Sequence, residues 1–496
     1  MPAESAPEII RLYFSDFFEV SEAVINKYGA FNISLLSDLP LFIDPFLLFN
    51  SKKSEYQALH IEVIAYLRFL KDKSSTNQAL EPGLIRALYA FPEVSQNWFG
   101  FTLVGNRGSG LGAKFANTLH QNLHRIFDDF GKESVTKGSH LEKLCLIAPG
   151  VGKDNISDFT TNLIKEYLLE YTESFTKQFI KEDLRKEFSV PRVHFNYETE
   201  TWEPRTFLLP YLNSDFVLLT PKDLLAKEDT WISRHDMLSD FDMVCESVPN
   251  AQIRAQINNY FRKVLPKNAT PGQKRSARAD AYRKFPNLID TYIRYKEDNG
   301  QAAVSTSSAN VKVSEQLYLE QFRGLVGLLA ESTAFYRLQG ATYREALERA
   351  HFLKDVIENK GGHKVFYLNG KPIERESDVH ILYRLTWFAT PSDVSREVND
   401  GRGPADFKIS RGSADKSLVE FKLASNPHLE RNLAHQTETY EKASDASQSI
   451  KVIVYFTKAE LDRVLAIVER LGLAGKENIV LIDARDDNKP SGSKAS

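Results

Sequence analysis

Two short runs near the C-terminal end constrain the fold of this chain more than any other feature. In DFKIS (406–410), Phe407 and Ile409 alternate with Asp406, Lys408 and Ser410. In SLVEFKLA (417–424), Val419, Phe421 and Leu423 alternate with Leu418, Glu420 and Lys422. A side-chain period of two is that of a β-strand, and the turn-like RGSADK between the runs predicts a hairpin. Glu420 and Lys422 then share one face while Phe421 points into a core. The flanking segments extend the pattern. Asn369-Gly370 within KVFYLNGKPI (364–373) signals a tight turn between strand-like runs. RESDVHILYRLTWFA and NPHLERNLAHQTETYEKA (426–443) read as helices. IKVIVYFT (450–457) and NIVLIDA (478–484) read as strands, with the amphipathic helix AELDRVLAIVERLGL between them. Helices alternating with strands in this order predict an α/β sandwich around a mixed sheet over 362–486, followed by a polar tail, 487–496.

The polar residues of the hairpin suit one chemistry. One Asp, one Glu and one Lys on adjacent strands can hold a divalent metal and activate a water against a phosphodiester. Mg²⁺ is a hard cation that takes a few carboxylates, several waters and phosphate oxygens. A neighbouring lysine can orient the water or offset charge on the scissile phosphate. The Phe421 carbonyl is a further candidate ligand. A surface strand with alternating Glu and Lys would carry the same pattern.

The segment GRGPADFKISRGSADKSLVEFKLA (401–424) resembles the PD-(D/E)xK nuclease superfamily, with Pro404-Ala405-Asp406 as the P-D half and Glu420-Phe421-Lys422 as the E-x-K half. Ala405 separates the proline from the aspartate, a departure from the pattern. Gln436 and Tyr440, four apart on one face of the predicted helix 426–443, resemble the Q-x-x-x-Y pair of the RecB/AddB-type branch. The resemblance covers only the last quarter of the chain. It implies a restriction-endonuclease-like α/β sandwich, with Asp406, Glu420 and Lys422 catalytic and Mg²⁺ or Mn²⁺ held by Asp406, Glu420 and Phe421. It also implies that Gln436 and Tyr440 orient the substrate strand, and that Glu376 is a further acid on the domain's first helix, with His380 one turn along. Read as residues alone, Gln436 and Tyr440 fit capping or packing equally well, and Glu376 fits the macrodipole at a helix N-terminus. The activity implied is metal-dependent hydrolysis of DNA. RNA stays open as substrate, since nothing here reads a 2′-hydroxyl. Relatives act as homo-oligomers or inside complexes, and the large accompanying region points by analogy to a bacterial restriction or antiphage-defence effector. The competing expectation is a nucleic-acid-binding or assembly module that keeps the fold without turnover.

Residues 1–361 bound the problem more loosely. A chain of 496 residues is long enough for two to four domains. Residues 1–297 read as a mixed α+β, helix-rich sensing or targeting region. DNGQAAVSTSSANVKV (298–313) is small, polar and without periodicity, and reads as a linker or loop. Residues 314–361 read as a helical connector, with Thr342 to Glu345 as a capping box. Two cysteines, Cys145 and Cys245, exclude a disulfide framework. Without a basic, apolar N-terminal leader or a long apolar run, a cytoplasmic protein with no membrane partner is expected. The net charge of −3 means that polyanion binding must use a local patch. The stretch 262–284 offers one, through Arg262, Lys263, Lys274, Arg275, Arg278, Arg283 and Lys284, with Tyr260, Phe261 and Tyr282 interleaved for base stacking. A solvated basic helix surface is the alternative. Two glycine-rich loops, 105–114 and the one ending at Gly152-Lys153, match no phosphate-binding pattern. Asp154, Asn155 and Asp158 read as cap chemistry for the helix that follows the second loop.

Overall fold

A computed structural model describes residues 11–74, 81–100, 111–126, 133–147, 151–227, 230–265, 268–338, 341–387, 393–395, 407–411, 415–434 and 448–489. The loop 105–110 therefore lies outside the described residues. The chain divides into two compact units, one made mainly of residues up to Val311 and the other mainly of residues from Lys312 onward.

The first unit is largely helical. Its helices include Ser54–Ser74 and Lys165–Phe179, and a twelve-residue strand, Arg185–Asn196, pairs antiparallel with Thr201–Leu212. The register slips between Val190 and His194, where Pro191 has no N–H to give and Arg192 takes a positive φ of 54°. The helix Lys153–Leu163 begins at Gly152, and Asn155, rather than either aspartate, returns its side chain to the Gly152 N–H at 2.9 Å.

The segment expected as a linker is a helix, Gly300–Glu315. Its composition hides a face: Ala303, Ser307 and Val311, spaced by four, are all buried. Residues this small let a helix lie close against its neighbours, and the Ser307 hydroxyl donates to the Leu225 carbonyl.

In the second unit we label the helices α1 (Phe322–Ser332), α2 (Thr342–Asn359), α3 (Glu376–Leu385) and α4 (Lys458–Arg470). The strands are β1 (Asp393–Ser395), β2 (Phe407–Arg411), β3 (Asp415–Leu423), β4 (Gln448–Tyr455) and β5 (Ile479–Asp483). They form one sheet in the order β5-β4-β3-β2-β1. β1 and β2 pair antiparallel, as do β2 and β3, whereas β3, β4 and β5 run parallel. The unit is thus mixed α/β, with β3 central. A separate tight hairpin, Tyr367–Leu368 with Lys371–Pro372, turns at Asn369 and Gly370, whose φ angles of 52° and 75° suit a type I′ turn.

Both faces of the sheet are covered. Ala424, Ile453 and Tyr455 pack with Val464, Ile467 and Val468 of α4 and with Leu429 and Leu433 from the helical residues 429–434. On the other face, Phe421 meets Tyr383 of α3, and the N-terminus of α2 reaches Ser417. The capping box expected at Thr342 does not form. Ala341 is the N-cap, and the Thr342 hydroxyl donates instead to Asp415 at 2.6 Å and shares a hydrogen at 2.7 Å with Ser417. Because α2 reaches the sheet at both ends, through Thr342 to Asp415 and Ser417 and through Glu358 to the Asp483 N–H, the helices of 314–361 belong to this unit, whose boundary lies near 312 rather than 362.

Candidate functional site

The site expected from the E-x-K pattern lies on β3. Alternation sends Phe421 to one face, where its ring centroid is 4.2 Å from that of Tyr383 and 6.3 Å from that of Phe407. Glu420 and Lys422 turn to the other. Glu420 is deeply buried and Lys422 nearly so, at 1% and 7% exposure. Burial on both sides excludes the surface-strand alternative.

A charge sunk this far needs a partner, because desolvation alone costs several kcal/mol. Glu420 has one in Lys451. The parallel register sets Glu420 beside Lys451 on β4, and Lys451 Nζ stands 3.3 Å from Glu420 Oε2. Sequence reading missed Lys451. Its signal is a lysine inside the apolar run Ile450-Lys451-Val452-Ile453, a residue that a buried strand tolerates only when paired.

Lys422 and Glu376 also meet. Lys422 Nζ is 3.7 Å from Glu376 Oε2, at the first residue of α3. The other Glu376 oxygen accepts from the Leu423 N–H at 3.3 Å and from Asn426 Nδ2 at 2.7 Å. One turn along, His380 Nε2 lies 3.1 Å from the Phe421 carbonyl, which can only accept, so Nε2 carries the hydrogen. The ladder explains these contacts. Ala424 donates to Val454 on β4, so Phe421 and Leu423 turn their peptide groups the opposite way, past the described end of β2 at Phe407. Glu376 and His380, four apart on one helix face, meet these two peptide groups. Glu376 therefore does more than complement a helix dipole, and the Phe421 carbonyl is already engaged.

Asp406, Gln436 and Tyr440 lie outside the described residues. Among the described residues no cluster of three or more His, Cys, Asp or Glu side chains is placed to hold a metal ion. Glu420 and Glu376 are oxygen donors of the kind a hard divalent cation takes, so the residues fit such an ion in chemistry.

The basic stretch falls on two helices of the first unit, Ala251–Val264 and Pro271–Lys284. Arg262, Lys263, Lys274, Arg275, Arg283 and Lys284 are exposed. Arg278 is committed, to Asp242 at 2.9 Å and the Leu238 carbonyl at 3.0 Å, and Arg283 pairs with Asp280. Lys274, Arg275 and Arg278 line a concavity of about 250 Å³ together with His235. The expected stacking aromatics are otherwise employed. Tyr282 is buried and donates to the Met237 carbonyl, Phe261 packs on Phe241, and Tyr260 carries the Lys284 ammonium over its ring. Tyr282 is thus a core residue, while Tyr260 and Phe261 stay half-buried.

No helix among the described residues is long and apolar enough to cross a membrane. No curated protein and no solved structure matches the chain. Residues 19–233 match a family model described as a domain of unknown function, DUF8370. Residues 342–458, which hold Glu376, Glu420, Lys422 and Lys451, match a second, described as DUF8371.

Proposed function

We propose that the second unit is a metal-dependent nuclease of the restriction-endonuclease-like kind, acting on DNA. The observation that carries this reading is the meeting of the E-x-K strand with a helix acid, Lys422 Nζ standing 3.7 Å from Glu376 Oε2. Glu420 and Asp406 would hold Mg²⁺ or Mn²⁺, which when bound supplies water activation and offsets phosphate charge. The chain's own residues do the rest. Lys422 directs its ammonium at the attacked phosphate, Glu376 steers that lysine, and Gln436 and Tyr440 orient the strand. Exposed cations of 262–284 neutralise the nucleic-acid backbone. A restriction or antiphage-defence role follows by analogy alone.

Incubation of plasmid, single-stranded DNA and RNA with the full chain and Mg²⁺ or Mn²⁺, beside Lys422→Ala, tests the proposal. Cleavage by the wild type and its loss in the variant is the expected result, and equal cleavage by both removes the site assignment. One observation favours a second reading, a binding or assembly module without turnover: Glu420 already has an internal counterion in Lys451. Nucleic-acid binding with no cleavage under any metal would support that reading instead.

A further inference from the structure

In the first unit a cleft of about 600 Å³ is formed by the start of helix Ser54–Ser74, the helix Lys165–Phe179 and the turn at Pro221–Asp223. That volume is typical of small-ligand sites. Its walls are tyrosine rings held in place by their own hydroxyls. Tyr28 donates to the Tyr171 carbonyl at 2.8 Å and Tyr171 to the Tyr28 carbonyl at 3.1 Å, while Tyr56 donates to Asp223 Oδ1 at 2.7 Å. Burial, and the Asp223 carboxylate that accepts its hydrogen, hold the Tyr56 phenol far above its ordinary range, so it stays a donor. Three carboxylates, Glu55, Glu170 and Asp223, face two ammonium groups, Lys53 and Lys222.

The cleft already displays its chemistry on the chain's own side chain. Lys53 Nζ sits 4.4 Å from the centre of the Tyr56 ring and 2.6 Å from Asp223 Oδ2. An aromatic face with a carboxylate at its head is a receptor for an organic cation. The Lys53–Asp223 pair is about half exposed on both sides, so it contributes little and exchanges easily.

We propose that this cleft binds an organic cation of the alkylammonium or guanidinium class, which takes the place of Lys53 Nζ on Tyr56 and Asp223. The guest is a free polyamine or a basic side chain offered by a partner protein. This assignment is independent of the nuclease reading.

Calorimetric titration of the full chain with spermidine, and separately with Nα-acetyl-lysine methylamide, tests it. Saturable binding is expected. Lys53→Gln removes the internal competitor and tightens the guest about threefold. Asp223→Asn removes the charged acceptor and weakens it about tenfold, with Glu170→Gln as a second acid variant. Spermidine binding more tightly identifies the free polyamine, and the lysine amide binding more tightly identifies the protein side chain. Absence of saturable heat, an Asp223→Asn affinity equal to wild type, or weaker binding in Lys53→Gln overturns the proposal. So does preferential uptake of adenosine monophosphate, an anionic guest that Lys53→Gln would weaken.

Discussion

Lys451→Met probes the buried pair on β3 and β4 most directly. Glu420 and Lys451 are at most 2% exposed at their side chains and stand 3.3 Å apart. Methionine keeps most of the lysine's length and apolar stem but removes its charge, taking from the buried carboxylate the ammonium it pairs with. Breaking a buried pair from one side costs about 3–5 kcal/mol. For a domain of this size each kcal/mol lowers the midpoint by about 2–4 °C, so the second unit should melt about 6–20 °C earlier. Differential scanning calorimetry of the full chain, with the transitions of the two units resolved, reads this. The double variant Glu420→Gln/Lys451→Met, which removes both charges, should recover most of the loss, because coupling rather than either side chain alone carries the cost. A single variant within about 1 kcal/mol of wild type, or a double variant no better than the single, refutes the buried-pair argument. Mg²⁺ should raise the midpoint of Lys451→Met more than that of the wild type, since a cation would replace the missing charge. Equal shifts would detach Glu420 from metal binding.

The other expectations concern packing and protonation. Ala303→Leu should destabilise the first unit by about 1–3 kcal/mol in denaturant titration, because the 300–315 helix buries that position tightly; a neutral result would argue for the loop reading of the segment. Thr342→Val should cost about 1–3 kcal/mol, because the buried Ser417 hydroxyl loses the oxygen it donates to and Asp415 keeps the backbone N–H of residue 342 but loses the hydroxyl, whereas a cost nearer a few tenths would mark the contact as incidental. Burial, reinforced by the His140 imidazole, lowers the His60 pKa to about 4, while the Ser139 backbone works the other way. A folded pKa below the unfolded one means that the unfolded chain binds the proton first, so His60's contribution is complete above about pH 6.5 and is lost progressively down to about pH 4. The loss amounts to about 3 kcal/mol, and His60→Phe should flatten that part of the pH–stability curve; an unchanged curve would show that His60 is not the titrating group.

Local patterns reached as far as local physics does. The period of two in 407–411 and 417–423 is a property of an extended backbone, so the strands and the shared face of Glu420 and Lys422 were legible before any fold was known. The i,i+4 pairing of Glu376 and His380 was legible for the same reason. Composition misled where small residues carried the signal, since Ala303, Ser307 and Val311 bury a helix face that hydropathy barely registers. Aromatics in a basic stretch looked like stacking groups, but whether Tyr282 faces solvent or Met237 depends on neighbours remote in sequence.

The residues themselves settled which side chains can alternate, cap or titrate. Only the tertiary structure decided their partners. Lys451 lies 31 positions beyond Glu420, and nothing local predicts that a parallel register will seat the two side by side. Covering both faces of the sheet turns an ordinary Glu-x-Lys strand into a buried charge system that must find its counterions inside the protein. Lys53, Tyr56 and Asp223 likewise become a cation receptor only when the fold brings the tyrosine hydroxyl to a carboxylate 167 positions further along the chain. Burial and pairing are long-range events, and they are what give these few side chains their chemistry.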